Sequence, residues 1–534
     1  MSMRNPLEVG QKLLLAFVGR QITSEMKAEL EKYRPGGITL FRAFNIETPA
    51  QLREFTDSLQ QYAKTIGLPP LLIAADQEGG QLMAIGKGTT PLPGNMALGA
   101  AGSIELARKA GEVLGSELAT MGVNVNYAPC CDVNVNPRNP VIGIRSFGEN
   151  SQEVAKLSAA MVEGIQSQGV AAVAKHFPGH GDTISDSHCG LPSVPNSIER
   201  LREVEFPPFR AAIETGVKMV MSAHLSLPAI DGPDAPPATL SPRILQGLLR
   251  DELGFDGVIV SDAMDMRAIQ QGSHLGSECA RAALAGIDLL LITADPEDHR
   301  RAFLGLIMAT KTDESAVETM KQSIQRIAGL KNWLAATASQ PGLDVIASTS
   351  HLAVAREIAE RSITLVRDEQ DLLPIRLNPK QKIAVIIPKP ANLTPADTSS
   401  SIKPDLAGAL RQYHPTVEEV MIPHDPGEED IQNSLRQVQD ADLVLCGTFN
   451  AFQSEGQARL VNSLIESGKP TIVAALRLPY DLTAFPKAGT YLCTYGILEP
   501  SLNALAAVLF GKIKSQGHLP VSIPGYYPVG YLQN

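Results

Sequence analysis

A (β/α)8 barrel followed by a smaller three-layer α/β sandwich is the fold class this sequence predicts. Three observations carry that expectation. Eight short apolar runs alternate with helical patterns through about residue 335, and a small polar segment broken by Pro-Gly follows. Five further apolar runs then interleave with helical patterns to the end of the chain. At 534 residues the chain also exceeds what one hydrophobic core usually serves.

The first eight runs are Leu13–Gly19, Gly37–Phe41, Leu71–Asp76, Val125–Val133, Val170–Phe177, Met219–Leu225, Gly257–Met264 and Leu289–Thr293. Most are nearly continuous in apolar residues, as parallel strands covered on both faces must be. Helical patterns lie between them at Pro49–Lys64, Ser103–Met121, Ser151–Gln168 and Ser241–Glu252. Eight strands with helices between them fit a barrel; an open doubly wound sheet is the alternative that periodicity alone leaves open. Ala335–Ser350 reads as an interdomain linker, with a helix from about His351 to Arg361 behind it. The later strand candidates are Lys382–Ile387, Glu418–Ile422, Leu443–Gly447, Thr471–Ala475 and Thr490–Thr494. The expected organisation is a catalytic barrel over 1–338, a linker and connecting helix over 339–360, and the sandwich over 361–534.

Composition excludes several classes of function. A hydrophobic share of 44% with 19% charged residues is ordinary globular composition. A net charge of -11 has the wrong sign for binding nucleic acid through phosphate neutralisation. No run approaches the roughly 18 to 20 apolar residues that span a bilayer, and Leu13–Val18 lacks the cleavage site of a secretory signal. Six cysteines without a C-x-x-C spacing suggest reduced thiols rather than a disulfide framework or zinc ribbon. A cytoplasmic protein with neither nucleic-acid nor membrane partners is the consistent expectation.

In barrel enzymes the reacting groups sit on the loops after the strands, so the polar residues ending each run are the candidates. They are Asp76-Gln77-Glu78, Asp132-Val133-Asn134, Lys175-His176, His224 and Ser261-Asp262. Ionisable groups at five strand ends point to a shared cleft. The loop after the fifth run, Lys175–Leu191 (KHFPGHGDTISDSHCGL), is densest in them. His176, His180, Asp182 and His188 could ligate a metal, but Pro178-Gly179 breaks the helical spacing that would align the first two. Acid–base chemistry is the other reading. The Asp186 carboxylate, two residues from His188, can accept its Nδ1–H and support a protonated ring, leaving Asp262 to act as nucleophile. Neither a phosphate loop nor a G-x-S-x-G elbow is present, and no metal or cofactor is expected.

These motifs resemble glycoside hydrolase family 3, in its bacterial β-N-acetylglucosaminidase (NagZ-type) branch. The resemblance rests on DQEGG at Asp76–Gly80, GIRSFG at Gly143–Gly148, KHFPGHGD at Lys175–Asp182, DSH at Asp186–His188 and SDAM at Ser261–Met264. Beyond the barrel, Arg361–Val366 and Leu519–Gly525 resemble the ends of the family's second domain. The resemblance implies a retaining glycosidase with Asp262 as nucleophile, His188 as acid/base and Asp186 as its partner. It implies sugar binding by Asp76, Arg145, Lys175 and His176, with Asp132 in the same cleft. The implied substrates are β-linked GlcNAc glycans or cell-wall fragments, as in cell-wall recycling. A β-N-acetylglucosaminide phosphorylase, a family 3 glycosidase of other specificity, and more remotely a metal-dependent amidohydrolase stay open at this point. One departure stands out. The branch typically carries arginines directly after DQEGG and three residues later, where this chain has Gln81 and Ala84, so a cation near the sugar is expected to be missing.

Overall fold

The computed structural model describes residues 6–312 and 314–533. Eight parallel strands close into a barrel: β1 (Leu13–Leu15), β2 (Gly37–Thr39), β3 (Leu72–Ala75), β4 (Val125–Asn126), β5 (Ala171–Phe177), β6 (Met219–Ser222), β7 (Val258–Ala263) and β8 (Leu289–Ile292). Each strand pairs with its sequence neighbours, and β1 pairs with both β2 and β8, placing Leu14 opposite Gly37 and Leu13 opposite Leu290. Closure rules out the doubly wound alternative. A Cβ at Gly37 would stand 2.3 Å from the Leu72 carbonyl oxygen, so the strand approach there requires glycine.

Alternation along the strands sorts the apolar residues into two layers. Leu14, Leu72, Val125, Val173, Met219, Val260 and Leu291 form one cluster, to which Ile327, Leu330 and Leu334 of the helix Glu314–Thr337 add. Leu13, Leu15, Ile73, Ala172, Val220 and Leu290 belong to the other, packed with the surrounding helices. The ladders are shorter than the apolar runs. Val125–Val133 yields regular strand only at Val125–Asn126, because Pro129 offers no N–H; a bridge from Cys130 to Lys175 resumes the pairing irregularly. Residues past each ladder are buried but free of sheet geometry, and these carry the polar groups.

The second sheet holds β9 (Thr364–Asp368), β10 (Ile383–Pro388), β11 (Val417–Ile422), β12 (Leu443–Thr448), β13 (Thr471–Ala475) and β14 (Thr490–Cys493). Its order is β9-β14-β13-β12-β10-β11, parallel except where β9 runs against β14. The stretch expected as a linker is fastened to the barrel. The helix Glu314–Thr337 runs into it, and the buried Glu117 carboxylate accepts the Ala347 N–H at 2.9 Å and pairs with His351 at 3.1 Å. The helix Thr349–Ser362 then packs on the helices Asn95–Ala101 and Ile104–Thr120. One continuous apolar cluster runs from the barrel into the sandwich, making the second domain a fixed wall beside the barrel. Among the described residues no helix is long and apolar enough to cross a membrane.

Candidate active site

Four ionised groups meet beyond the C-terminal ends of β3 and β5. Lys175 is buried and donates to Asp76 Oδ1 at 2.6 Å and to Glu78 Oε1 at 2.7 Å. Arg145 grips Glu78 with two parallel bonds, Nε to Oε2 at 3.0 Å and Nη2 to Oε1 at 2.7 Å. Burial works against the charge on Glu78, but Arg145 and Lys175 outweigh it and hold the carboxyl at about 2. Burial likewise disfavours both cations, while Glu78 and Asp76 keep Arg145 and Lys175 above their ordinary values. Removing one cation would leave Glu78 buried and short of compensation, at a cost of about 3–5 kcal/mol. The network is therefore a rigid floor, and Asp76, 31% exposed, is its most open carboxylate.

Asp132 organises the neighbouring loop. It is fully buried, accepts His176 Nδ1–H at 2.7 Å and the His180 N–H at 2.7 Å, and receives the Cys130 thiol at 3.2 Å. Arg145 Nη2 lies 3.4 Å from His176 Nε2, and the guanidinium can only donate. Cys130, Asp132 and His176 place ligand atoms within 4.8 Å of one another, the one such three-residue group among the described residues. Their own hydrogen bonds occupy those atoms, and burial with Asp132 nearby pushes the Cys130 thiol well up, away from the thiolate a metal needs. The ligand set considered from sequence, His176 with His180, Asp182 and His188, does not assemble. His180 bonds Thr183 at 2.8 Å and Ser187 at 3.3 Å, and Asp182 accepts from Asn196 at 2.8 Å. All six cysteines are free, and Cys189 is the exposed one.

Asp262 ends β7. Its Oδ1 accepts the Ala263 N–H at 2.8 Å, leaving Oδ2 available. Burial opposes its ionisation, but His224, His176, His188 and the Ala263 N–H together hold it at about 2. His188 stands on the loop after β5 with Nδ1 2.6 Å from Asp186 Oδ1, and Asp186 also accepts the His188 backbone N–H at 2.9 Å. Burial lowers the imidazole, but the Asp186 bond and the charges of Asp262 and Asp186 raise it above its ordinary value. The side chain is 29% exposed, so Nε2 is the ring nitrogen left to exchange protons. A carboxylate held ionised beside an imidazole whose protonated form its neighbours favour is the pairing that nucleophilic and general acid chemistry require.

All eight residues singled out in the sequence thus lie at the C-terminal mouth of the barrel, in one electrostatically connected group. Sequence gives no role to two of the strand-end candidates, Glu78 and His224. Glu78 is the shared counter-ion of Arg145 and Lys175; the signal was two cations and a single other acid in DQEGG. His224, at the end of β6, bonds Thr239 Oγ1 at 2.7 Å and the Ala263 carbonyl at 3.0 Å, bracing the backbone beside Asp262.

The position after DQEGG, where an arginine was expected to be missing, is a contact between the two domains. Arg477, from the second domain, reaches the Gln81 carboxamide oxygen at 2.5 Å and pairs with Asp397 at 2.9 Å. Thr398 donates its N–H to the Gln81 carbonyl at 2.8 Å, and Gln81 Nε2 donates to Ala396 at 3.1 Å. Gln81 is therefore a docking point between domains, and Ala84 lies buried with its N–H on the Asp76 carbonyl at 2.8 Å. Gln81→Arg is expected to set two guanidinium groups against each other and leave a buried donor unpaired, costing about 1–3 kcal/mol. Calorimetry should show a Tm lowered by several degrees; an unchanged or higher Tm would mean that this contact does not hold the domains.

The glycosyl hydrolase family 3 N-terminal domain model matches residues 7–330, and the family's C-terminal domain model matches 363–528. A β-hexosaminidase A from Pseudoalteromonas piscicida is 32% identical, covering 93% of this chain and 91% of the relative. A β-N-acetylglucosaminidase/β-glucosidase from Cellulomonas fimi is 32% identical over 85% of this chain and 83% of its own. A solved family 3 β-N-acetylglucosaminidase from Paenibacillus sp. str. FPU-7 superposes with a TM-score of 0.92 at 37% identity, covering 98% and 99% of the two chains. With both family domains matched across a barrel whose mouth carries this ionised cleft, the chain belongs to glycoside hydrolase family 3.

Proposed function

We propose that this protein is a retaining β-N-acetylglucosaminidase that removes terminal β-linked GlcNAc through a covalent intermediate on Asp262. The observation that carries the reading is the His188–Asp186 pair at 2.6 Å, within the field of an Asp262 held ionised. In the first step Asp262 Oδ2 bonds to the anomeric carbon, the glycosidic C–O bond breaks, and the departing oxygen takes the proton of His188 Nε2. In the second, neutral His188 Nε2 takes a proton from water as the water oxygen displaces Asp262. Asp186 keeps Nδ1–H fixed and offsets the imidazolium charge. Asp76, Lys175, Arg145 and His176 offer the sugar a carboxylate, two cations and an imidazole, with Asp132 and Glu78 fixing their orientation. Substrate identity draws on the names of the similar proteins, and β-linked GlcNAc glycans, cell-wall fragments included, fit it.

Two measurements check the reading. An aryl β-GlcNAc should be hydrolysed with a kcat/KM roughly a hundredfold or more above that of the aryl β-glucoside, because polar groups built for an acetamido partner are left unpaired without it. Equal or reversed preference contradicts the assignment. The pH profile follows from the shifts. Activity needs ionised Asp262 and protonated His188. The acid limb should fall near 2, below the ordinary carboxyl range, to the extent that the fold survives there. The alkaline limb, set by His188, should lie above the ordinary imidazole value and move down in Asp186→Ala.

A further inference from the structure

The loop that carries His188 is gripped from two sides near its start. On one side a Cβ at Gly181 would stand 1.8 Å from the Val133 carbonyl oxygen, and the His180 N–H lies on the buried Asp132 at 2.7 Å. On the other side a Cβ at Gly179, where φ is 123°, would stand 2.7 Å from both Cβ and Cγ of Glu205. Only glycine lets the turn come this close to both. Glu205 belongs to a separate segment. It ends the helical turn Leu201–Glu205, and its neighbour Phe206 stacks on Phe177 with ring centroids 5.8 Å apart, directly before the gripped turn.

The grip extends towards the acid/base. His180, between the two supports, meets Thr183 with Nδ1 at 2.8 Å and Ser187 with Nε2 at 3.3 Å, and Ser187 adjoins His188. Contact therefore runs from Glu205 through Gly179 and His180 to the residue beside His188.

The surroundings of Glu205 suit an acid better than a carboxylate. The residue is 1% exposed, its Oε1 has no hydrogen-bond partner, and Oε2 has one long side-chain contact, from Arg200 Nη1 at 3.3 Å. Burial pushes the carboxyl up to about 7; Arg200 opposes the rise, and the charges of Asp182 and Asp132 add to it. His180 offers no compensating charge, because burial keeps its ring neutral, at about 4. Ionised, Glu205 would be a buried charge with one oxygen unbonded, and relief would mean moving towards water and away from Gly179. We infer that Glu205 is a positioning residue, which in its uncharged form seats the turn at Gly179 and so holds His188 where it can protonate the leaving group. This rests on reading His188 as the acid/base.

The test uses two variants of the full-length protein. Glu205→Gln keeps the shape and cannot ionise. Its kcat/KM on an aryl β-GlcNAc should match the parent at pH 6 and exceed it at pH 8. The ratio of the two should rise about tenfold, as the parent's uncharged fraction falls from roughly nine tenths to one tenth. His188 titrates in both proteins and divides out of the ratio. Glu205→Ala leaves Gly179 unseated. Its kcat/KM should fall about tenfold on an alkyl β-GlcNAc but about twofold or less on the dinitrophenyl glycoside, whose departure needs no acid. Stability reads the proton independently of catalysis. A carboxyl at an ordinary 4.5 when unfolded and about 7 when folded holds its proton only in the folded state between those values, so stability falls as pH rises through that window. The Tm of the parent should therefore drop relative to Glu205→Gln from pH 4.5 to 7. A ratio flat with pH would overturn the uncharged form, and so would parallel Tm curves. A fully active Glu205→Ala, or one that loses both substrates equally, would overturn the positioning role; if it does not fold, the pH ratio of Glu205→Gln decides. A parent inactive on every β-GlcNAc substrate would instead refute the catalytic reading, and the Tm series would still report on Glu205.

Discussion

Asp262→Ala and Asp262→Asn are expected to lower kcat by three to five powers of ten, or roughly 4–7 kcal/mol of transition-state stabilisation. The size follows from what is lost. In the proposed mechanism Asp262 supplies the bond that replaces the glycosidic linkage, and each neighbouring carboxylate is engaged elsewhere. Glu78 is locked by Arg145 and Lys175, Asp132 by His176 and His180, and Asp186 by His188. Asp76 is the most open of the others, but Lys175 holds it at 2.6 Å. The fold should survive, because the structural contact of Asp262 is a single bond from its neighbour's N–H. Steady-state rates and Tm measured together separate the two effects. A loss below tenfold in a well-folded Asp262→Ala would remove the nucleophile from Asp262.

The second large effect belongs to His188 and depends on the leaving group. With a poor leaving group, His188→Ala should slow the first step by about 10²–10⁴, since the departing oxygen must leave unprotonated. With a dinitrophenyl glycoside that step needs no acid, and the loss should move to deglycosylation, where water is no longer activated. Rapid mixing should then show a burst of dinitrophenolate followed by a slow steady state. Asp186→Ala should be milder, because it disturbs orientation and basicity but leaves the proton carrier in place. Equal losses on good and poor leaving groups, with no burst, would argue against His188 as the acid.

The barrel was legible because parallel strands buried on both sides are written as continuous apolar runs, and all eight appear where such runs occur. Their ends were not. Ala128, Cys130, Cys131 and Val133 are as buried as strand residues yet lie outside the regular ladder, and burial is what an apolar run reports. β9 escaped as a strand because it is a short edge strand, Thr364–Asp368, whose Leu365, Arg367 and Asp368 are only partly buried. In the site, ionisable residues at strand ends were readable through barrel geometry. The role of Glu78 was not, because its partners arrive from a turn and a strand 67 and 97 positions away. Arg477 lay further out of reach. It meets Gln81 across 396 residues of chain and belongs to the other domain, a distance at which local spacing carries no information. That contact gives Gln81 a structural role, and nothing in the structure explains Ala84.

The most direct test of covalent catalysis by Asp262 is mass spectrometry of the protein after reaction with a slow, activated fluorosugar substrate. A single adduct per chain, on the peptide that contains Asp262 and absent from Asp262→Ala, is the predicted result. An adduct on Asp76, Glu78 or any other carboxylate would contradict it.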